Sequence, residues 1–503
     1  MTFRHIAPGE TPANGGAASP FATNGALRAP SGDIPEICAM SATALSASIR
    51  DHSLSSVEIV TAFLDRIEAI NPAYNAIVSL RPREAIVAEA EAADRRIASG
   101  EATGPLCGQP IAIKDLSPTK GLTTTFGSPI YRDHIPDFDG LSTARIRAAG
   151  AIIIGKTNAP EFGLGSHTFN EVFGATRNAF DTARSAGGSS GGAAVALATR
   201  MLPIADGSDM GGSLRNPAAF NNVYGLRPSF GRVPSLPAGN VFEASLSTDG
   251  PMARTAADLA LLLSVQAGAD PRQPLSGGLP DLSADRRPGD RPARIGWLGD
   301  LGGHLATETG ILDAGLRALE AIPETEVEPA DLGFDAERLW QSFVVQRQAG
   351  VAGKYAPLFD DPTTRDLLKP EMQWEIEQGK RLSALDLVAA GEIRTGWHLR
   401  LAQLFARFDF LALPAAQVWP FPVEWRWPRA IAGRTMDSYH RWMECVVPGT
   451  LSGCPVLALP AGFRDGLSTG VQIIAPYGRE DELIALALRC EQGRHRFAPK
   501  TAD

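Results

Sequence analysis

The stretches AGGSSGG, residues 186–192, and GSDMGGSLRNP, residues 207–217, decide the reading of this chain. Both set serine among glycines. Residues 187–231 carry nine glycines in 45 positions, 20 %, twice the average of a chain that has 51 in 503. Glycine at that density lets the backbone turn tightly, and lets successive N–H groups face one point with no side chain in the way. Taken alone, the first stretch also fits a helix N-terminus packed tightly on a strand. The second follows the apolar run LPIADGS (202–208), a strand. Upstream, PIAIKDL (110–116) sets Lys114 at the end of another short apolar strand. A lysine there is ordinary if its stem lies in the core and its head reaches water. Yet only seven of the 47 cationic residues are lysines.

Outward from these stretches, short apolar runs alternate with helical segments, which predicts an α/β sheet with helices packed on it. The further strands are AIIIGK (151–156), RIGWL (294–298), FDFLALP (408–414) and CPVLALPAGF (454–463). Residues 55–70 place Val57, Val60, Phe63, Leu64, Ile67 and Ile70 on one helix face. Ser55 and Glu58 form a capping box there, and Asn71-Pro72 is expected to end the helix. Other helices are expected over about 82–99 and 481–491. Residues 270–293 look like a linker, and about 305–407 is mainly helical. The expected organisation is a flexible tail over 1–35, then a single domain over 36–503. Its core comes from about 36–275 and 405–495, with a mainly helical insertion at about 300–407 that shapes the substrate site.

Composition excludes several functions. With 47 cationic against 56 acidic residues the net charge is −9, which disfavours nucleic acid as a partner. Cys38, Cys107, Cys445, Cys454 and Cys490 form no CxxC pair or zinc-spaced cluster, so buried reduced thiols and a cytoplasmic location are expected, with no metal. No apolar run reaches the length of a membrane span, and the first 35 residues lack a secretory h-region.

Two familiar patterns fail on context. GAIIIGKT, Gly150 to Thr157, matches the phosphate-binding loop G-x-x-x-x-G-K-[ST]. Its middle residues, Ala151 to Ile154, form a buried strand where a loop is required, and Asn158-Ala159-Pro160 blocks the following helix. GGSSG, Gly187 to Gly191, matches the nucleophile elbow of Ser-His-Asp hydrolases with Ser189 at its centre. The preceding NAFDTARSA is no strand, and the later histidines, His304, His398, His440 and His495, have no distinctive setting.

Together, Lys114, Ser189 and Ser213 form a constellation that resembles the amidase signature family. GKTNAPEFG (155–163), TRNAFD (176–181), YGLRPSFGRVP (224–234), DGPMARTAADL (249–259) and LPAGF (459–463) support it. The resemblance implies the family's fold, a large mixed β-sheet core flanked by helices on both faces. It further implies Ser213 as nucleophile, Ser189 as a bridging serine held by a cis peptide, Lys114 as terminal base, and no cofactor. An oxyanion hole would come from Met210, Gly211, Gly212 and Ser213. Ser190, Ser208, Asp209 and Arg215 would support the site, the last two by charge-assisted hydrogen bonds. The family commonly has Thr where Ser208 stands and Ile or Thr at Met210; the first change keeps the hydroxyl, and the second matters little where only the backbone is used. The chemistry is consistent with the scarcity of histidine. A lysine can act as base only when neutral, which needs burial or a nearby cation, and a drop from ~10.4 to near 7 costs roughly 4–5 kcal/mol.

The branch of the family is read from two segments. Ser245-Leu246-Ser247-Thr248-Asp249-Gly250-Pro251 stands where the amidase subunit of a glutamine-dependent tRNA amidotransferase usually has S-L-D-Q-I-G-P. Gly165 to Asn170, GSHTFN, also departs from that branch's S-T-E-N-S. The expected activity is therefore a stand-alone amidase acting on small, apolar or aromatic amides, with carbamates and esters sharing the same tetrahedral intermediate. The amidotransferase subunit is the alternative. Phe126, Trp419 and Trp425 are pocket candidates; the tryptophans serve equally well to pack the insertion on the core. The expected partners are a small-molecule amide and water, and a homodimer is left open.

Overall fold

The computed structural model describes residues 33–101, 103–282 and 291–492. The segment read as a tail lies outside the described residues up to position 32, as does His495.

Near the N-terminus, helices α1 (Ser56–Tyr74) and α2 (Arg83–Ala98) precede strand β1 (Pro110–Lys114). The capping box forms: Ser55 Oγ accepts from the Glu58 N–H at 3.1 Å, and Glu58 Oε2 accepts from the Ser55 N–H at 2.8 Å. Contrary to expectation, α1 continues past Pro72. A proline costs a helix the bond from its missing N–H, but Pro72 sits in the last turn where little follows. Asn75, in the left-handed conformation at φ 53°, makes the end, and the Asn71 carboxamide accepts from Ala76 and Ile77 N–H at 2.9 Å.

Strand β2 (Ile152–Thr157) pairs in parallel with β1, and the short strand Ile77–Val78 closes this three-stranded sheet. Helix α3 (Gly191–Ala198) and strand β3 (Ile204–Asp209) follow. Then come α4 (Arg215–Phe220), β4 (Tyr224–Arg227), β5 (Thr248–Ala253) and α5 (Ala256–Gln266). A βαβ unit, β6 (Ala293–Trp297), α6 (Ile311–Glu320) and β7 (Thr325–Pro329), leads into three helices, α7 (Ala336–Asp360), α8 (Pro370–Lys380) and α9 (Ala384–Phe405). The chain returns to the sheet as β8 (Phe410–Pro414), β9 (Val456–Arg464) and β10 (Leu467–Ile474), then α10 (Glu480–Gln492).

The eight-stranded mixed sheet has the order β7-β6-β8-β10-β9-β4-β5-β3. Strands β6, β7 and β8 run parallel, and the remaining pairs are antiparallel. The segment expected as a helical insertion differs at its start, because β7, joined to β6 through α6, extends the sheet, and α7–α9 follow outside it. Helices cover both sheet faces, as the alternation of a strand requires. Leu457 and Leu459 face a cluster with α5, α6 and α10, whereas Ala458 between them faces the cluster containing α3 and α4. Strands buried on both sides read as continuous apolar runs, which is why they stand out in the sequence. The small sheet abuts the open edge at β3, where the Lys114 backbone N–H donates to Asp206 Oδ1 at 2.9 Å.

Candidate active site

β1 delivers Lys114 into the interior with its whole residue 1 % exposed. Its Nζ lies 2.8 Å from Ser189 Oγ, 2.8 Å from Ser190 Oγ, 3.1 Å from Ser208 Oγ and 3.2 Å from the Ser208 carbonyl. Among the described residues no carboxylate bonds to the amine. Burial pushes its pKa down to about 7 while Asp206, Asp209 and Asp249 pull the other way from a distance. Of the two routes to a neutral lysine, burial is the one at work.

Ser189 and Ser190 sit in the loop just before α3. The Gly188–Ser189 peptide bond is cis. Helix α3 can lie against the short sheet because it begins with glycine: a Cβ on Gly192 would come within 2.4 Å of the Asn158 nitrogen. The Ser190 N–H donates to the Ser213 carbonyl at 3.1 Å, tying the two glycine-rich loops together.

Asp209 ends β3 and organises the second loop. Its carboxylate accepts from the N–H groups of Gly212 and Leu214, each at 3.0 Å, and from Arg215 Nη2 at 2.9 Å and Nε at 3.1 Å. Arg227, absent from the sequence-based site, adds a second guanidinium at 3.2 Å and also donates to the Asp209 carbonyl. Burial alone would raise the Asp209 pKa, but these two cations hold the carboxyl well below the usual range. Gly212 adopts φ +87°, with Val446 within 2.8 Å of where a Cβ would be. Its N–H is taken by Asp209, unlike the expected donor role, whereas the N–H groups of Met210, Gly211 and Ser213 have no partner among the described residues. The Ser213 hydroxyl likewise has no partner there, and the residue is 7 % exposed.

The other candidates separate. Phe126, at φ 53°, accepts the Phe162 N–H at 2.8 Å, and Phe162 precedes Gly163, where a Cβ would stand 3.6 Å from Ser189 Oγ. The Phe126 ring itself packs on Tyr131 and His134. Trp419 donates from its indole to the Thr309 carbonyl at 3.3 Å, and Trp425 stacks on Phe421 at 6.5 Å. Neither contact involves the serine loops. Lys156, from the phosphate-loop pattern, lies on a fully buried strand and donates to Ser117 O at 2.6 Å and Thr119 Oγ1 at 2.8 Å. Among the described residues no histidine bonds to Ser189 or Ser213; His440 is enclosed by Trp340, Trp374 and Tyr439. One group of described residues, His304, Glu337 and Glu444, has metal-like spacing within 4.8 Å. Arg441 already pairs with both its carboxylates, at 2.6 and 3.0 Å. All five cysteines are buried and none is in a disulfide bond among the described residues, and no helix of the described residues is long and apolar enough to cross a membrane.

A profile of the family described as Amidase matches residues 58–484, a span that holds the buried lysine and both loops. The chain belongs to the amidase signature family. An acylamidase from Rhodococcus erythropolis is 34 % identical over 475 residues, covering 92 % of this chain and 97 % of that one. The glutamyl-tRNA(Gln) amidotransferase A subunit of Coxiella burnetii (strain Dugway 5J108-111) is 33 % identical over 484 residues, covering 91 % and 98 %. A crystal structure of a bacterial aryl acylamidase of the amidase signature family superposes with a TM-score of 0.84 at 29 % identity, covering 90 % of this chain and 96 % of that one. Identity alone does not separate the two kinds of relative. As an amidase signature member the protein is a C–N hydrolase.

Sequence reasoning missed three groups around this amidase site: Arg227, the buried Asp206 on the Lys114 backbone, and the residues of α7 that reach the second loop. Arg227 had a visible signal, standing at the end of the apolar run YGLR beside a Pro. Asp206, the one charged residue of the run LPIADGS, had one too. Which α7 residues reach the loop depends on how the helix is docked, which no local pattern encodes.

Proposed function

We propose that the protein is a stand-alone serine amidohydrolase that cleaves the C–N bond of small, apolar or aromatic amides through an acyl-enzyme, with carbamates and esters as chemically accessible alternatives. One observation carries this reading: a lysine amine shifted to about 7 by burial, 2.8 Å from the hydroxyl of a serine in a glycine loop bonded to the loop of Ser213.

In this mechanism Ser213 Oγ attacks the carbonyl carbon. Its proton passes to Ser189 Oγ as the Ser189 proton passes to Lys114 Nζ. A neutral amine has two N–H donors and one lone pair; the Ser208 carbonyl takes a donor, and the lone pair is left to accept a hydroxyl proton. The tetrahedral oxyanion is met by the free N–H groups of Met210, Gly211 and Ser213, and donors of this kind are typically worth ~3–4 kcal/mol each. Gly212 shapes the loop rather than donating. Collapse breaks the C–N bond, and the proton returns along the relay to the leaving amine. Water then attacks the ester by the same path, releasing the carboxylic acid and restoring Ser213.

The second reading, the amidase component of a tRNA amidotransferase, has the 33 % identity to such a protein in its favour. Against it stands SLSTDGP at residues 245–251, which lies next to the site through the Ser208–Asp249 strand pair. A panel of aliphatic amides, anilides, peptide amides and carbamates, run with wild type and Ser213→Ala, tests the proposal. Ser213-dependent turnover without a partner chain supports it. A stable stoichiometric partner in a pull-down, with no turnover alone, favours the second reading.

A further inference from the structure

Helix α7 presents Phe343, Arg347, Val351 and Tyr355 at four-residue spacing, one face of the helix. That face runs the length of the site. A Cβ on Gly211 would lie 3.0 Å from the Phe343 ring. Arg347 Nη1 lies 3.6 Å from Met210 Sδ. Val351 shares a cluster with Leu164, and the Tyr355 ring is 4.6 Å from that of Phe162, the residue before Gly163. The stripe thus reaches from the loop of Ser213 to the loop beside Ser189.

Three of its four residues are apolar or aromatic, and the fourth is a fully charged guanidinium, 3 % exposed. Arg347 is occupied. Its Nε donates to Glu375 Oε1 on α8 at 2.6 Å and its Nη2 to Tyr439 Oη at 2.6 Å; Tyr439 in turn donates to the same carboxylate oxygen at 2.6 Å. Among the described residues, the other buried groups facing the cluster are paired or neutral, and the one exposed cation is at the rim. His440 Nε2, 3.6 Å from Glu375, belongs to an imidazole that burial keeps neutral. Arg441 is matched by Glu337 and Glu444, and Arg426 by Glu371. Lys369, which donates to the Leu164 carbonyl, faces Glu161 and Glu371, and Lys354 stands exposed at the rim over Tyr355.

We propose that Glu375 is a specificity-determining residue: by engaging Arg347 on the site-facing stripe of α7, it leaves the buried wall of the substrate pocket without a free guanidinium, so the enzyme takes uncharged amides in preference to those bearing a carboxylate. This rests on the hydrolase reading above. A free buried guanidinium would do the opposite, since Arg binds carboxylates with a planar two-pronged geometry. Glu375 acts through Arg347 and is not itself a catalytic residue.

The test uses two matched pairs of anilides, one with a carboxylate replacing the terminal methyl of the acyl chain, the other with a carboxylate on the aniline ring. Wild type is expected to favour the uncharged member of at least one pair by about 100-fold in kcat/KM. Glu375→Gln, which keeps the shape and removes the charge, should narrow that ratio by about tenfold, chiefly through KM of the charged member. Tyr439→Phe frees Nη2 alone and should move the ratio the same way; it carries the test if Glu375→Gln does not fold. A ratio measured between two substrates on one enzyme cancels any loss of folded, active protein. Wild-type ratios within about threefold for both pairs, or ratios unchanged in the folded variants, overturn the inference and leave the hydrolase reading standing. No Ser213-dependent cleavage of any amide overturns both.

Discussion

The Nζ of Lys114 lies 2.8 Å from Ser189 Oγ, at the end of a strand in which all five residues are buried. The lysine reaches the serine only through the interior, so its proton equilibrium is set by burial and not by solvent.

The pH dependence follows in sign. Below its pKa of about 7 Lys114 is protonated and accepts no proton, so kcat/KM should rise with pH through neutrality, with a midpoint near 7. Lys114→Ala should lose about 10³-fold and the ascending limb with it. A pH series on both proteins checks this, and the same flat profile in wild type and variant is the outcome that contradicts it.

Asp209 holds two buried guanidiniums and two loop N–H groups at once. Asp209→Ala leaves both cations unpaired in the core, and the expected cost is about 3–5 kcal/mol of stability. Denaturant unfolding measures it; a loss under about 1 kcal/mol would mean the loop has another anchor.

Gly212→Ala places a Cβ at φ +87° against Val446 and forces the loop to move. The expected result is a drop in kcat of about 100-fold with KM little changed, because the displaced N–H groups act on the transition state. Steady-state kinetics on one amide separates the two constants. A change in KM alone would remove the loop from the chemical step.

Phe126 and the tryptophans should differ. Phe126→Ala is expected to raise KM for aromatic amides about tenfold relative to aliphatic ones. Trp419→Ala, whose indole is tied to Thr309, should leave the substrate ranking intact. A changed ranking in the Trp419 variant would place that side chain in the pocket.

What was legible follows burial. Strands such as IIIGKT and FLALP lie with both faces covered and so show as unbroken apolar runs. The strand Thr325–Pro329, TEVEP, is a partly exposed edge, and with Val327 as its one large apolar residue it made no apolar run in a segment read as helical. Lys114, Ser189, Ser213, Asp209 and Arg215 stand in short runs with distinctive neighbours along the chain, and the structure brings Lys114 to Ser189 and Arg215 to Asp209. Arg347, Glu375 and Tyr439 converge from three separate elements, and Arg227 reaches Asp209 across the sheet. Such meetings depend on docking angles and not on spacing. The end of α1 failed for a local reason, because an Asn side chain and a left-handed Asn75 terminate it beyond the proline.

The most direct test of the central claim is covalent. Wild-type protein is treated with a fluorophosphonate and analysed by peptide mass spectrometry, beside Ser213→Ala. One phosphonyl group on Ser213 in wild type, and none in the variant, is the predicted result. Labelling that persists in Ser213→Ala, or no labelling of an enzyme that turns over amides, would contradict Ser213 as the nucleophile.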